Sequence, residues 1–321
     1  MITFVTTFKQ FRPPFDVIQL NALNSWLRFC PPCEVVIVGP DEGVEDAVKH
    51  LPHIKIIHNV KRSSSGTPFL DDLIRQGEKV AANDLICLIN GDIIIVDDIL
   101  KVVKSVYKIF NTNFLLISRR YDMNINKLLK YDNELINYLR NHILSQYVKL
   151  NKKPLCTDLF VFGKGLFDKI PPLVIGRLIW ARWLIYKALS YGIPVIDATE
   201  VLTVIHQLHN YDHISNLPIK NSFTKVKSSY VDITFTQDYK WNLIHAGVAT
   251  YFSEKDCNYV LTYSGLKKKN DMEYLLRKLV VTPLLNRLTS PFALTVIKTL
   301  LPIKVARKTL KKMMFTRKIL Y

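Results

Sequence analysis

Leu85-Ile-Cys-Leu-Ile89 is an unbroken apolar run of strand length that stops abruptly at Asn90-Gly91-Asp92. A strand with no polar alternation has both faces covered, as a central strand of a parallel α/β sheet does. Residues 2–8, 34–38, 54–60 and 114–118 form further short runs that are apolar and often β-branched. Between them, 15–29, 69–82 and 97–110 space their apolar side chains as helices do, the last with an acidic first turn that suits the helix dipole. Strands alternating with helices predict an α/β fold with a mostly parallel sheet flanked by helices. Residues 121–150 turn polar and read as a helical excursion at the periphery. Strand character returns at 157–163, a helix is expected over 175–189, and short strands are expected at 194–199 and 201–205.

Open α/β sheets bind their ligands beyond the carboxyl ends of the strands, so the turn after Ile89 is the expected place for chemistry. Asp92 has no Lys or Arg beside it in sequence and suits a hard divalent cation held through oxygen. Such a cation can carry a nucleotide diphosphate. Asn-Gly-Asp is also ordinary turn chemistry, which leaves a purely structural reading open.

Of the 321 residues, 49% are apolar and 22% charged, enough for one large core with an appendage and too apolar for disorder. The five cysteines, Cys30, Cys33, Cys87, Cys156 and Cys257, are an odd and sparse set, which points to a reducing compartment. Cys30-Pro-Pro-Cys33 precedes a strand and has no second pair to complete a zinc site, so it reads as a loop former. The first residues read as a strand, not as a signal peptide, and no run of 18 apolar residues occurs. A cytoplasmic location is expected.

The net charge of +17 is uneven: residues 274–321 hold 11 Lys or Arg and no acid, so the 33 bases and 27 acids before them leave +6. Within 304–315 the bases and apolar groups segregate as on a cationic amphipathic helix. Two readings stand side by side, a terminal helix packed on the body and a helix docked on an anionic membrane surface at the inner face. Nucleic acid is disfavoured, because the bases lack interleaved aromatic residues.

The order and spacing of several blocks over roughly residues 1–215 resemble those of nucleotide-sugar-dependent glycosyltransferases with the GT-A fold, of the kind found in cell-surface polysaccharide assembly. The blocks are Gly66-Thr-Pro68, Asn90-Gly-Asp-Ile93, Asp158-Leu-Phe-Val-Phe162, Ile170-Pro-Pro172, Gly176-Arg177, the Trp180/Trp183 pair, Ile196-Asp197 and His206-Gln-Leu-His209. Asn90-Gly91-Asp92 looks like a shortened DxD signature that keeps only its last Asp. The resemblance implies a GT-A catalytic domain over 1–215, with 216–273 packing on it and 274–321 as a basic helical tail. It also implies Mn2+ or Mg2+ held by Asp92, His206 and His209; an imidazole beside a carboxylate suits a transition metal. Donor binding falls to Thr6, Thr7, Asp41, Gly66, Thr67, Asn90, Gly91 and Arg177, whose guanidinium would fork onto a diphosphate or the acceptor.

Trp180 and Trp183 lie three apart on one helical face, where they would either floor an acceptor sugar or pack in the core. The sequence departs from the family at Ala181, where an acid is typical and would act as the base of an inverting transfer. Asp158 and Asp197 are the candidates to replace it, with Glu200 behind them. Two functions follow: a metal-dependent transferase moving a sugar from a nucleoside-diphosphate donor, a UDP-sugar first, to a carbohydrate or lipid-linked glycan, or a catalytically silent nucleotide-sugar-binding or scaffold protein of the same fold.

Overall fold

The computed structural model describes residues 1–209 and 237–272, with 274, 275 and 278. Eleven strands are described: β1 (Ile2–Thr6), β2 (Glu34–Val38), β3 (Ile54–Ile57), β4 (Leu85–Ile89), β5 (Ile93–Ile95), β6 (Leu115–Met123), β7 (Leu155–Gly163), β8 (Val195–Asp197), β9 (Val204–Gln207), β10 (Tyr259–Thr262) and β11 (Gly265–Lys268). The α-helices are α1 (Phe15–Leu27), α2 (Val44–Val48), α3 (Leu70–Val80), α4 (Ile99–Phe110), α5 (Asn133–Lys149), α6 (Trp180–Ser190) and α7 (Gln237–Ala246). The main sheet runs β11-β10-β8-β6-β7-β4-β1-β2-β3, and β9 pairs with β6 and with β5.

The α/β architecture is the expected one, with two features that periodicity does not carry. First, β7 lies antiparallel between β4 and β6, so the sheet is mixed although β3, β2, β1 and β4 are parallel. Second, β6 serves two neighbours on one side: Leu115–Ile117 pairs with β8, and Arg120–Met123 pairs with β9. The strand therefore runs on through Arg119 and Arg120 into Tyr121-Asp122-Met123, where the sequence reads as the start of an excursion.

Alternation within each strand sends side chains to two apolar layers, which explains the unbroken runs. Ile2, Phe4, Val35, Ile37, Leu85, Cys87 and Ile89 face the layer that contains residues of α1, α2 and α4. Val5, Val36, Val38, Ile86 and Leu88 face the layer that contains residues of α3, α6 and α7. A third cluster packs Leu139 and Ile143 of α5 on Ile94, Tyr121 and Ile205. The helix expected from 175 begins at Trp180 instead. Residues before it form a loop pinned by a Phe69–Val174 bridge and by Asn242, which accepts from the Val174 amide at 2.7 Å and donates to its carbonyl at 2.9 Å.

Among the described residues strand β5 has a single strand partner, β9, and side chains of α1 supply hydrogen bonds along its other edge. Trp26 Nε1 donates to Ile93 O at 2.8 Å, Ile95 N donates to Ser25 Oγ at 3.1 Å, and an Arg28 Nη2 donates to Ile95 O at 2.9 Å. These bonds fix the segment that leaves the Asp92 turn. The boundary expected at 215 and the basic tail lie outside the described residues, apart from 274, 275 and 278. No helix among the described residues is long and apolar enough to cross a membrane.

Trp26 is fully buried and stacks on both Phe4 and Phe8, at centroid distances of 5.9 and 6.0 Å. Trp26→Ala should cost about 3–5 kcal/mol of stability by the usual price of an aromatic truncation in a core. Urea denaturation measures it, and a loss below about 1 kcal/mol would contradict this account of β5.

Candidate functional site

The turn after β4 is held from several directions. Asn90 N donates to Asp158 O at 3.1 Å, extending the β4–β7 ladder by one residue, and Ile93 N donates to Asn90 O at 3.2 Å to close the turn. Gly91 is needed for close approach: a Cβ there would lie 2.5 Å from Phe8 Cδ1 and 3.1 Å from Thr7 O. Across the turn, β5 pairs antiparallel with β9 in the register Ile93↔His206, and Gln207 N donates to Asp92 O at 3.2 Å. This register brings residues from opposite ends of the sheet-forming chain side by side.

Asp92 Oδ2 stands 3.4 Å from His206 Nε2 and 3.2 Å from His209 Nε2, and the three ligand atoms lie within 4.8 Å of one another. Asp92 Oδ1 is buried with no hydrogen-bond partner among the described residues. His206 Nδ1 faces Asp122 Oδ1 at 2.9 Å. His209 packs edge-on against Phe15 at 5.1 Å. Burial opposes charge on His206, but Asp92 and Asp122 outweigh it and push the imidazole up to about 9. Burial likewise opposes the charge on Asp92, yet His206 and His209 hold its carboxyl well below the usual range. An orphaned buried carboxylate oxygen beside two imidazole nitrogens fits a divalent cation that accepts mixed N and O ligands. Mn2+ and Zn2+ suit this set better than Mg2+, which prefers oxygen alone.

Beside this cluster a cavity of about 620 Å³ opens at the carboxyl ends of β1, β2 and β4. Because β2 and β4 flank β1 on opposite sides, this is the point where strand order reverses, the usual crevice of an open α/β sheet. The lining includes Lys9, Arg12, Arg62 and Arg177, set against Asp41, Asp92 and Asp238. Gln19 clamps the backbone of Lys9, accepting from its amide at 2.7 Å and donating to its carbonyl at 3.0 Å. Burial lowers the Lys9 ammonium to about 8, Asp92 and Asp41 pulling upward and Arg177 downward. Arg62 donates to Gly39 O at 2.8 Å and Gly66 O at 2.6 Å and pairs with Asp41 at 3.1 Å, tying loop 63–68 to the end of β2. Arg177 donates to Thr67 Oγ1 at 3.1 Å and pairs with Asp238 at 3.5 Å.

Thr7, Asp41, Gly66, Thr67, Asn90, Gly91, Asp92 and Arg177 all line the cavity, with His206 and His209 against Asp92. Thr6 is buried and lies outside the lining. Four further candidates lie outside the cavity lining. Trp180 and Trp183 are 3% and 5% exposed and pack with Phe160 and Phe167, so core packing takes the faces that an acceptor sugar would need. Asp158 has one oxygen hydrogen-bonded by Asn90 Nδ2 at 2.9 Å and the other in an ion pair with Arg120, and it does not line the cavity. Asp197 is buried, paired with Arg119 at 3.1 Å and bonded by Thr199 N at 3.0 Å. Neither carboxylate is part of the cavity lining.

Lys9, Arg62, Asp122 and Asp238 escaped the reading of the sequence. A cation just past the first strand, in Phe8-Lys-Gln-Phe-Arg12, was the available signal for Lys9. Nothing local marks Asp238, which reaches the cavity only because α7 docks on the 172–178 loop through Trp241 and Asn242.

No protein-family model matches the chain, and no curated protein matches it. Solved structures do. S. aureus TarS 1-349 in complex with UDP-GlcNAc is 12% identical, the match covering 94% of this chain and 76% of that one at a TM-score of 0.46. The mannosyltransferase PcManGT from Pyrobaculum calidifontis, in complex with GDP-Man and Mn2+, is 13% identical over 67% of this chain and 59% of that one, at a TM-score of 0.40. At these TM-scores neither likeness bears weight, and the functional reading rests on the geometry of the site.

Proposed function

We propose that the chain is a glycosyltransferase whose donor is a nucleoside-diphosphate sugar, a UDP-sugar first, and whose acceptor is a glycan or lipid-linked glycan. The observation that carries this reading is the Asp92 turn: a buried, unpartnered carboxylate oxygen beside two imidazoles, opening on a cation-lined cavity at the switch point of the sheet. Asp92, His206 and His209 would hold a divalent cation, Mn2+ before Mg2+. When bound, it would supply positive charge to the leaving diphosphate.

The chain's own groups account for the rest. Lys9 and Arg177 present positive charge to the phosphates from opposite loops, Arg177 with the forked geometry that suits such oxyanions. The Arg62 latch on Gly39 and Gly66 shapes the wall on the side of Asp41, where the nucleoside would sit. Of the carboxylates in the lining, Asp41 is paired with Arg62 and Asp92 belongs to the cation cluster. Asp238 is likewise paired, with Arg177, and accepts from Ser65 Oγ, so none of the three is assigned to the acceptor hydroxyl. Membrane docking through 274–321, which would bring this cavity to a lipid-linked acceptor, belongs to the same proposal.

A second reading, nucleotide-sugar binding without transfer, is favoured by Ala181 and by the full engagement of Asp158. Donor hydrolysis separates the two. With UDP- and GDP-sugars and Mn2+, turnover supports the transferase, and tight binding with no turnover supports the silent protein. Asp92→Ala should lower hydrolysis by about 10²–10³-fold, the several kcal/mol that a bound cation supplies. Full Mn2+-dependent turnover in that variant would remove the assignment.

Lys9 adds a pH test. Its ammonium pairs with a diphosphate only while protonated, so affinity for UDP should hold steady up to about pH 8 and fall above it. Lys9→Met should weaken binding below pH 8 and flatten the fall. Calorimetric titration from pH 7 to 10 measures this, and identical profiles for the two proteins would exclude Lys9 from the phosphate site.

A further inference from the structure

We propose that Asp122, Arg120 and Asp158 act together as positioning residues for the cation site, with Asp122 fixing which imidazole nitrogen of His206 faces Asp92. This inference rests on the cation reading of Asp92, His206 and His209 given above. Its basis is a chain of side-chain contacts that begins and ends at the 90–92 turn. From the Asp92 Oδ2 and His206 Nε2 contact at 3.4 Å, it passes through His206 Nδ1 to Asp122 Oδ1 at 2.9 Å. Arg120 Nε lies 3.3 Å from Asp122 Oδ1, an ion pair without a hydrogen bond, and Arg120 Nη1 pairs with Asp158 Oδ2. Asp158 Oδ1 then accepts from Asn90 Nδ2 at 2.9 Å, and Asn90 returns to Asp92 through Gly91.

The chain of contacts is built by strand register. Asp122 and His206 are direct partners in the parallel β6–β9 pair, so their side chains leave the sheet on the same side. Asp158 lies one position from Leu159, the partner of Ile89 on β4. It therefore reaches the Asn90 turn with both its carbonyl and its carboxylate. Side chains of Arg120 and Asp158 are 12% and 11% exposed, so water does little to loosen their pairing. An imidazole that donates Nδ1–H to a carboxylate keeps its Nε2 lone pair for a cation, and such outer partners typically change metal affinity by about 10–100-fold when removed. Asp158 is thus a support beneath the turn, which is the physical reason its oxygens are spoken for.

The test measures Mn2+ affinity by calorimetry, with Zn2+ as a diamagnetic probe for histidine-selective NMR of the full chain. In the wild-type protein the Zn2+-loaded His206 should carry its proton on Nδ1 and bind through Nε2. Asp122→Ala should weaken Mn2+ binding about 10–100-fold. Asp122→Asn, which keeps an oxygen acceptor, should stay within about 3-fold of wild type, a rescue that a purely structural role would not give. Asp158→Asn should weaken binding as well, with the fold retained in circular dichroism. Wild-type Mn2+ affinity in Asp122→Ala, or cation binding through Nδ1 of His206, would overturn the inference while leaving the cation site standing. If Asp122→Ala does not fold, the nitrogen assignment in the wild-type protein decides the matter alone. Wild-type protein that takes up neither Mn2+ nor Zn2+ would overturn the cation reading itself and this inference with it.

Discussion

The antiparallel pairing of β5 with β9 is the contact on which the site depends. Ile93 opposite His206 sets the register, the Gln207 amide takes the Asp92 carbonyl, and the carboxylate is thereby held beside two imidazoles. A slip of one residue would turn every side chain of β9 to the other face and disperse the cluster. Three side chains of α1 guard against that by bonding the far edge of β5, with Trp26 anchored in the core between Phe4 and Phe8. Packing of the first helix is in this way coupled to the aim of a carboxylate far along the chain.

Electrostatics set the character of the cavity once that frame is in place. Four cations and three carboxylates face one another in a space of about 620 Å³, and the charges are mostly latched to neighbouring loops. Arg62 binds two carbonyls and Asp41, while Arg177 reaches both loop 63–68 and α7. Such preorganised charge would interact with a diphosphate with little rearrangement, which is how fixed dipoles and cations outperform water around a leaving group. Lys9 has its backbone held by Gln19 and its ammonium over the Phe15 ring, where burial lowers it to about 8.

Strands β2 and β4 were legible because burial on both faces leaves 35–38 and Leu85–Ile89 as uninterrupted apolar runs. Direction was not legible: Asp158-Leu-Phe-Val-Phe162 looks the same parallel or antiparallel, and only the neighbours β4 and β6 decide it. The Trp180/Trp183 spacing identifies a helical face without saying whether it points to a ligand or to Phe160 and Phe167. Arg119-Arg120-Tyr121-Asp122 hid the second half of β6, since its charges are satisfied by Asp197, Asp158 and His206 on other strands. The Asp92, His206 and His209 trio was proposed from a resemblance, and its proximity depends on a strand pairing that no local pattern encodes.

Diffraction at the manganese edge from crystals grown with Mn2+ and UDP tests the central claim most directly. The account predicts one anomalous peak within coordination distance of an Asp92 oxygen and of Nε2 of His206 and His209, with the diphosphate in the cavity beside Lys9 and Arg177. A peak elsewhere, or none at this cluster with UDP bound, would contradict it.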